Sequence, residues 1–326
     1  MKKFNLVLVI ALILSLTLSV VVFGAEKWAS DVEIIFFAGG DPGCSYASVV
    51  YRGALLAAED IGAQVEYVFS GWSVEKMTSQ LREAIARRPD GIAFMGHPGD
   101  DAIMPLAKEA SEAGIVMMYQ NVNLPLVRAK YGGGYVGGDL AVQGRELGEE
   151  AIRRFGLKSG DLAIVYGNWG MAGRFIREDA TAVAFEEAGL IVKRFVTKEE
   201  WFADPTLSIP AISSAILADP EVKIICFANT IISDIADLYM EAAGREADEI
   251  LFIGYGTTAA MLSNMERGYL HLTSDQLGFM EGYLPILSLA LTIKYQMFPL
   301  SYNVAEGFVD KTNFREVLDL VKAGYR

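Results

Sequence analysis

The chain has 326 residues, of which 52% are hydrophobic and 21% are charged, and its formal net charge at pH 7 is −13. Such an acidic excess argues against binding of nucleic acid or of an anionic membrane by charge, because both partners require a basic protein face. With 2 Cys and 2 His in the whole sequence, a zinc site has little support. We therefore expect neither a metal nor a cofactor.

Residues 1–25 have the composition of a signal peptide for export. Lys2 and Lys3 precede an almost wholly apolar run at 6–23, and the small residues Gly24 and Ala25 follow it. The apolar run is also about long enough to span a bilayer, so a retained anchor is the alternative interpretation. We expect cleavage after Gly24 or Ala25 and a periplasmic or otherwise extracytoplasmic protein. No Cys lies at the junction, so a lipid anchor is not supported.

The next part of the chain alternates short apolar runs with amphipathic helical patterns. Strands are predicted at 32–37, 65–69, 91–95 and 115–119, and helices at 51–60, 74–87 and 101–113. Strands that alternate with helices of this length indicate a parallel sheet that is covered by helices on both sides.

A glycine-rich segment then interrupts the pattern, with five Gly between Tyr131 and Asp139. It is interpreted either as a flexible loop or as a bend between two domains. After it the alternation starts afresh. Helices are predicted at 140–155, 174–188, 209–217 and 231–243, and strands at 162–166, 191–196, 224–227 and 250–253. The repeated series predicts an α/β protein of two similar lobes, each with a parallel sheet flanked by helices.

Three polar residues, Ser274-Asp275-Gln276, stand between two strongly apolar segments. A predicted strand at 269–273 precedes them, and an apolar helix begins near Met280. Buried polar groups must be paired, so these side chains either satisfy the neighbouring backbone or face a cleft that holds a polar ligand.

Amides and aromatic residues stand at the carboxyl ends of the predicted strands, where parallel sheets bind their ligands. These positions are Gly40-Asp41, Gly71-Trp72, Gly96-His97, Gln120-Asn121, Gly167-Asn168-Trp169, Trp201-Phe202, Ala228-Asn229 and Tyr255-Gly256. Amides both donate and accept hydrogen bonds, and flat rings cover the apolar faces of sugars. Each residue taken alone could instead be a helix cap or a loop residue.

Motifs for phosphate binding and for nucleophilic catalysis are absent from the sequence. There is no phosphate-binding loop of the Gly-x-x-x-x-Gly-Lys type and no Gly-x-Ser-x-Gly elbow. His97 precedes Pro98-Gly99-Asp100-Asp101, but no candidate nucleophile accompanies it, so we interpret it as a loop residue. An exported enzyme that acts on a small polar metabolite, with Asp41 or His97 as base, stays as an alternative function.

Several segments match a known family. They are Phe37-Ala38-Gly39-Gly40-Asp41-Pro42, Arg88-Pro89-Asp90-Gly91-Ile92, Ala113-Gly114-Ile115 and Glu281-Gly282-Tyr283. Together with the repeated strand–helix series they resemble the periplasmic monosaccharide-binding proteins of the ribose and galactose class. These are type I periplasmic binding proteins of ABC sugar importers, and they share their fold with the sensor domains of LacI-type repressors. The likeness covers almost the whole mature chain. No DNA-binding helix pair precedes the fold, so the repressor branch is disfavoured.

The resemblance implies a set of ligand-binding residues at the lobe junction. They are Asp41, Tyr46, Gln120, Asn121, Trp169, Arg177, Trp201, Asn229, Tyr255 and Gln276. The family's frequent Asp-Arg pair is absent, and Gln120 and Asn121 stand in its neighbourhood. Gly256 replaces an acid that is usual after the aromatic residue, which leaves Asp41 as the expected carboxylate. Asp275 is the alternative acid.

The resemblance also implies the organisation and the mechanism. One lobe would comprise residues 31–138 and 277–303, and the other 139–276 and 304–326, with three hinge crossings near Gly137, Ser274 and Asn303. Cys44 and Cys226 would lie in different lobes, so we expect no disulfide between them. The expected protein is a monomer without enzymatic activity that closes on a monosaccharide or polyol and delivers it to a membrane permease. An exported sensor for a signalling sugar is a further alternative.

Overall fold

Two six-stranded sheets organise the chain in a computed structural model that describes residues 27–169, 175–305 and 307–326. The strands are β1 (Glu33–Gly39), β2 (Gln64–Phe69), β3 (Gly91–Met95), β4 (Val116–Gln120), β5 (Gly134–Gly137), β6 (Leu162–Gly167), β7 (Ile191–Val196), β8 (Val222–Cys226), β9 (Leu251–Tyr255), β10 (Leu272–Asp275), β11 (Ser301–Asn303) and β12 (Gly307–Asp310). The first sheet has the order β11-β5-β4-β3-β1-β2, and the second has the order β12-β10-β9-β8-β6-β7. Neighbouring strands run parallel in every pair except β10–β12, which is antiparallel.

Helices cover both sheets. They are α1 (Ser45–Ile61), α2 (Val74–Arg87), α3 (Gly99–Glu112), α4 (Pro125–Tyr131), α5 (Leu140–Phe155), α6 (Ile176–Glu187), α7 (Glu200–Ala203), α8 (Ile209–Ala218), α9 (Thr230–Ser233), α10 (Ala236–Ala242), α11 (Ala259–Arg267), α12 (Gly278–Tyr295) and α13 (Phe314–Ala323). A 3₁₀ turn, Pro205–Ser208, precedes α8. The predicted fold class, two α/β lobes with largely parallel sheets, is confirmed.

Capping residues set the ends of several helices. Ser73 accepts a hydrogen bond from the backbone N–H of Lys76 at the start of α2, and Asp139 accepts one from Val142 at the start of α5. Gly156 ends α5 in the left-handed conformation, with φ of 62°. Such caps satisfy backbone groups that have no partner inside the helix, so local sequence sets the start of α2 and both ends of α5.

Glycines allow two pairs of helices to meet backbone to backbone, one pair in each lobe. A Cβ atom at Gly53 of α1 would lie 2.0 Å from the carbonyl oxygen of Phe279 in α12, and one at Gly282 would lie 1.9 Å from that of Val50. In the second lobe, a Cβ atom at Gly144 of α5 would lie 2.0 Å from the carbonyl oxygen of Arg177 in α6. The close approach therefore requires glycine at these positions.

The glycine-rich segment is only in part the loop or bend that the sequence suggested. Its centre forms β5, which pairs with β4 and with β11. A Cβ atom at Gly134 would lie 2.0 Å from the carbonyl oxygen of Leu300 and 2.5 Å from Sδ of Met118. Glycine is thus needed because neighbouring segments of the same chain crowd this strand. Strand propensity alone does not predict such a requirement.

Two helix predictions also need correction. The first helix begins at Ser45 rather than at residue 51. The helix expected at 231–243 is two helices, α9 and α10, since the regular helix stops after Ser233 and resumes at Ala236. By contrast, α2, β3 and α5 coincide with their predicted ranges.

The chain passes between the sheets three times, after β5, after β10 and after β11. At the second passage the polar side chains are held by their neighbours. Ser274 Oγ accepts a hydrogen bond from Gln143 (2.9 Å), and the Asp275 carboxylate accepts from Arg326 (2.6 Å) and from the backbone N–H of Leu277 (3.1 Å). Both interpretations of the Ser-Asp-Gln segment therefore hold in part, because Gln276 lines the cavity between the carboxyl ends of the two sheets, whereas Ser274 and Asp275 do not.

No helix within the described residues combines the length and the apolarity needed to cross a bilayer. The predicted signal peptide, residues 1–25, lies outside the described residues. Cys44 and Cys226 are both free thiols, one before α1 and one at the end of β8.

Candidate functional site

A cavity of about 120 Å³ lies between the carboxyl ends of the two sheets. From the first lobe its lining includes Cys44, Tyr46, Trp72, His97 and Asn121. From the second lobe it includes Asn168, Arg177, Glu178, Phe202 and Asn229. Gln276, in the second passage between the lobes, completes the polar part of the lining. Groups from both lobes thus converge on one cavity.

The wall from the first lobe is a connected polar cluster. The hydroxyl of Tyr46, in the first turn of α1, lies 2.6 Å from Oε2 of Glu281 in α12. Asn121 follows β4 in the left-handed conformation (φ 64°). Its Nδ2 donates to the hydroxyl of Tyr46 (3.0 Å) and to Oε2 of Glu281 (3.1 Å). One short network therefore fixes both cavity-lining side chains.

The carboxyl group of Glu281 is wholly buried beneath this wall, with 0% of the residue exposed. Burial disfavours the charged form and raises the pKa of Glu281 to about 8, although hydrogen bonds from Tyr46 and Asn121 and the positive charge of Arg177 act in the opposite direction. Burial, and then the charge of Glu281, raise the pKa of Tyr46 well above its ordinary value. Tyr46 therefore keeps its hydroxyl hydrogen at any physiological pH.

The wall from the second lobe centres on Arg177, whose guanidinium carbon lies 3.8 Å from the ring centroid of Tyr255. Its Nη2 donates to the carbonyl oxygen of Ala228 (2.7 Å) and lies 3.4 Å from Oε1 of Glu178. Its Nε is buried and has no hydrogen-bond partner among the described residues. A guanidinium held this way is well placed to donate to a ligand oxygen.

Asn229 combines a structural contact with a free donor group. Its Oδ1 accepts a hydrogen bond from the backbone N–H of Ile232 (3.1 Å) and so caps α9. Its Nδ2 is buried without a partner in the part of the chain that the structure describes. Buried donors without partners are rare, so this group is available to a bound molecule.

Five of the predicted site residues line the cavity, namely Tyr46, Asn121, Arg177, Asn229 and Gln276. Two of the predicted residues from the first lobe lie elsewhere. Asp41 is exposed in the loop after β1. Gln120 is buried and donates its Nε2 hydrogen to the carbonyl oxygen of Phe37 (2.9 Å), so it ties β4 to β1.

Three predicted aromatic residues of the second lobe also lie outside the lining. Trp169 donates to the carbonyl oxygen of Phe195 (2.8 Å). Trp201 is 2% exposed and packs in the hydrophobic core beside Tyr166. Tyr255 lies beneath Arg177, and its hydroxyl is 2.5 Å from Oγ1 of Thr181. These positions support structural contacts rather than stacking on a ligand ring.

Comparison with known proteins identifies the family of this chain. Residues 35–296 match a family model described as a periplasmic binding protein domain. The chain belongs to the periplasmic binding protein family. The family that the sequence predicted is thereby confirmed, and such proteins act outside the cytoplasm. No curated protein matches the chain.

Solved structures of similar fold cover nearly the whole of this periplasmic binding protein. A carbohydrate transporter from Acidothermus cellulolyticus 11B, in complex with myo-inositol, has a TM-score of 0.76 and 21% identity and covers 90% of this chain and 99% of its own. An ABC transporter periplasmic solute binding protein from Actinobacillus succinogenes 130z, with bound D-allose, has a TM-score of 0.75 and 22% identity, with coverage of 87% and 99%. A periplasmic ribose ABC transporter from Conexibacter woesei DSM 14684 has a TM-score of 0.74 and 18% identity, and the match covers 91% of this chain and 97% of the transporter chain.

The sequence prediction missed several residues that line or support the cavity of this periplasmic binding protein. Trp72 and His97 form an aromatic surface with ring centroids 5.1 Å apart, so His97 is more than a loop residue. Phe202, rather than its neighbour Trp201, faces the cavity. The strand-end pattern contained all three, but it could not tell which neighbour points inward.

Two carboxylates were also missed as members of the site. Glu178 lines the cavity, whereas Asp41, the predicted carboxylate, does not. Glu281 lies within the matching Glu-Gly-Tyr segment, and its signal is a lone carboxylate in a helix that is otherwise apolar almost all round. Glu is almost never fully buried unless it is paired, so such a position deserves a functional hypothesis.

The cavity chemistry suits a small, neutral molecule that is rich in hydroxyl groups. Amide groups offer donors and acceptors, Trp72 and Phe202 offer apolar surface, and the charge of Arg177 is matched by Glu178. Among the described residues, no cluster of His, Cys, Asp and Glu could hold a metal ion.

Proposed function

We propose that this protein is the solute-binding component of an ABC sugar importer and that it captures a neutral monosaccharide or polyol between its lobes. The observation that carries the proposal is the convergence of Asn121 and Tyr46 from one lobe with Arg177 and Asn229 from the other. Buried donors of Asn229 and Arg177, which have no hydrogen-bond partner among the described residues, match the acceptor oxygens of a hydroxyl-rich ligand.

The structural neighbours support the same substrate class. Two of them hold myo-inositol and D-allose, both uncharged and rich in hydroxyl groups. Among the described residues that line the second wall, the charge of Arg177 is balanced by that of Glu178. A neutral ligand therefore avoids the cost of burying an unmatched charge.

The proposed mechanism is hinge closure. We assign residues 31–138 and 277–303 to one lobe and residues 139–276 and 304–326 to the other, with the three passages as the hinge. A ligand that contacts both walls binds the closed form more tightly than the open form, so binding and closure are coupled. We further propose that the protein is a monomer that is exported by a signal peptide cleaved after Gly24 or Ala25 and that it delivers its ligand to a membrane permease.

The test is a thermal-shift screen of monosaccharides, polyols and nucleosides, followed by calorimetry on any ligand that raises the melting temperature. Bound ligand is then released and analysed by mass spectrometry, and we expect it to be chemically unchanged. Turnover of the ligand would indicate an enzyme, and a screen without any sugar or polyol among its hits would contradict the proposed substrate class.

Asn229→Asp tests the contribution of one donor group of the cavity while keeping the helix cap. Aspartate retains the oxygen that caps α9 but replaces the free donor group with an acceptor. We expect a melting temperature close to that of the wild type and an affinity lower by about 1–3 kcal/mol. Unchanged affinity would mean that Asn229 serves only as a cap.

A further inference from the structure

Glu281 is the one group of the first wall that does not line the cavity itself, yet it contacts two residues that do. It lies in α12, and its Oε2 is 2.6 Å from the hydroxyl of Tyr46 and 3.1 Å from Nδ2 of Asn121. Its Oε1 is buried and has no hydrogen-bond partner within the described ranges. The group can therefore influence a ligand only through Tyr46 and Asn121.

The hydrogen-bond capacity of Tyr46 allows two arrangements. A hydroxyl has one hydrogen to donate and two lone pairs that accept. One lone pair accepts the hydrogen of Asn121 Nδ2 (3.0 Å). If Glu281 is ionised it can only accept, so it takes the hydroxyl hydrogen, and Tyr46 offers the cavity a lone pair. If Glu281 carries a proton on Oε2, it donates to the second lone pair, and the hydroxyl hydrogen points to the cavity.

The buried surroundings decide which oxygen carries the proton. A proton on Oε1 would be a buried donor with no partner in the described part of the chain, whereas a proton on Oε2 faces the hydroxyl of Tyr46 at 2.6 Å. A buried donor without a partner destabilises the structure, whereas a proton on Oε2 makes a hydrogen bond to Tyr46. The proton is therefore favoured on Oε2.

We propose that Glu281 is a positioning residue whose proton sets the hydrogen-bond polarity of Tyr46, so that the hydroxyl donates to a ligand oxygen when Glu281 is protonated and accepts when it is ionised. The inference rests on the proposed ligand-binding function, which it refines by assigning a proton state to the first wall. The proton exchanges with solvent and no covalent bond of the ligand changes.

Burial, rather than the surrounding charge, favours the protonated form of Glu281 at neutral pH. Burial raises the pKa of Glu281 to about 8. The groups that face it are Tyr46 from α1, Asn121 after β4, Tyr135 from β5 and Arg177 from α6. Of these, Arg177 is charged, and its effect on the pKa is smaller than that of burial. The hydroxyl of Tyr135 lies 2.8 Å from the carbonyl oxygen of Asn121 and 2.9 Å from that of Gly138, so its one hydrogen is shared between these acceptors and does not reach Glu281.

The first experiment uses the ligand-free protein, so it does not depend on the identity of the ligand. Glutamate is labelled with ¹³C at the carboxyl carbon, and the resonance of Glu281 is assigned by its loss in Glu281→Gln. We expect it to titrate with a midpoint near 8 and to move upward in Tyr46→Phe, which removes a hydrogen bond to the carboxylate. A midpoint in the ordinary glutamate range, or one that Tyr46→Phe leaves in place, would overturn the proposal.

The second experiment measures the affinity for D-allose and for myo-inositol by calorimetry below and above that midpoint. For a probe that binds, we expect affinity to fall by about twofold to tenfold as Glu281 ionises, because the donor hydrogen of Tyr46 turns away from the ligand. Glu281→Gln can place an N–H against Tyr46 but then lacks the oxygen that accepts from Asn121, and it cannot ionise, so we expect its affinity to be the same at both pH values. The exposed Glu83 provides the control Glu83→Gln, which should follow the wild type.

The outcomes separate this proposal from the proposed function. Wild-type affinity that is independent of pH across the measured midpoint, or a pH dependence that survives in Glu281→Gln, would overturn the role of Glu281. Absence of binding by both probes would count against the proposed substrate class, while the ligand-free titration still decides whether Glu281 holds a proton against Tyr46.

Discussion

The two walls of the cavity share a scaffold but differ in how their polar groups are held. In each wall a helix that carries a cavity residue meets a second helix at glycine, α1 with α12 in one lobe and α5 with α6 in the other. In the first wall, Tyr46, Asn121 and Glu281 are bonded to one another. In the second wall, Arg177 and Asn229 are held mainly by backbone atoms of Ala228 and Ile232.

The difference implies that the two walls respond differently to change. A network of side chains transmits the loss of one member to the others, so substitutions in the first wall should be coupled. Side chains that are fixed separately by the backbone should act nearly independently. The first wall also contains a group that titrates near neutral pH, Glu281, and so it should respond to pH.

The largest expected effect concerns the pH dependence of stability. The pKa of Glu281 is raised from an ordinary 4.5 to about 8, so between these values the folded chain holds a proton that the unfolded chain loses. The stability that Glu281 contributes is fully present below its pKa in the unfolded chain, and it is lost as pH rises towards 8. Between about pH 5.5 and 7.5, the free energy of unfolding of the wild type relative to Glu281→Gln should fall by about 3 kcal/mol in urea titrations. Parallel curves for the two proteins would show that Glu281 is ionised throughout.

The shared scaffold is tested by Gly282→Ala and Gly144→Ala. Alanine is favoured over glycine within a helix by about 1 kcal/mol, but here its Cβ would meet a backbone carbonyl oxygen at about 2 Å. We expect the clash to prevail and each variant to lose about 2 kcal/mol of stability in denaturant unfolding. Gly307→Ala is the control, because its nearest neighbour would lie at 3.9 Å. Equal stability of all three variants would contradict the role of glycine in helix packing.

The second wall should lose affinity when its cation is removed. Arg177→Gln shortens the side chain and removes a charge-assisted donor, so we expect binding of the identified sugar to weaken by about 1.5 kcal/mol, roughly tenfold, in calorimetry. Arg145→Gln in the same lobe is the control, since Arg145 pairs with Glu187 at the surface, where an ion pair contributes little. A loss of the same size in both variants would indicate a general effect of charge.

Double-mutant cycles on affinity test the comparison of the walls itself. For Tyr46→Phe combined with Asn121→Ala, we expect a coupling energy of about 1 kcal/mol, because the two side chains share a hydrogen bond. For Arg177→Gln combined with Asn229→Ala, which introduces no charge, we expect about 0.5 kcal/mol or less. The reverse order of the two coupling energies would show that the second wall is the connected one.

The smallest expected effect is that of Asp275→Asn on affinity, which we expect to stay within about 0.5 kcal/mol of the wild type. The carboxylate of Asp275 is engaged by Arg326 and by the backbone N–H of Leu277 and does not line the cavity. Calorimetry on this variant shows whether Asp275, rather than Glu281, is the acidic residue on which ligand binding depends. A loss as large as that of Arg177→Gln would assign that role to Asp275.

Sequence periodicity predicted most of the fold because hydrophobic spacing and caps act locally. The range of α2 follows from Ser73 and from its apolar stripe, and β3 follows from a short buried run. The strand β5 could not be predicted in this way, since glycine is required there by close contacts with Met118 and Leu300, which are distant in sequence. Helix α1 begins earlier than the apolar pattern, because its first turn faces the cavity rather than the core.

The site was predicted in outline and missed in detail for a related reason. Strand ends indicate where a ligand binds, but neighbouring residues point in opposite directions, so Trp201 is buried while Phe202 lines the cavity. Glu281 reaches the site from a helix of the first lobe, far in sequence from Tyr46. Only the packing of α12 against α1 brings the two together.

The glycine contacts between helices also bear on how the ligand range of such a protein can change. Tyr46, Glu281 and Arg177 stand on helices that already touch through their backbones, so the frame around them cannot be widened by enlarging a side chain between the helices. Trp72 and Gln276 lie in connecting segments outside regular helices and strands. A designer who wants a sensor for a different sugar would therefore randomise the connecting segments first and keep the helix pairs unchanged.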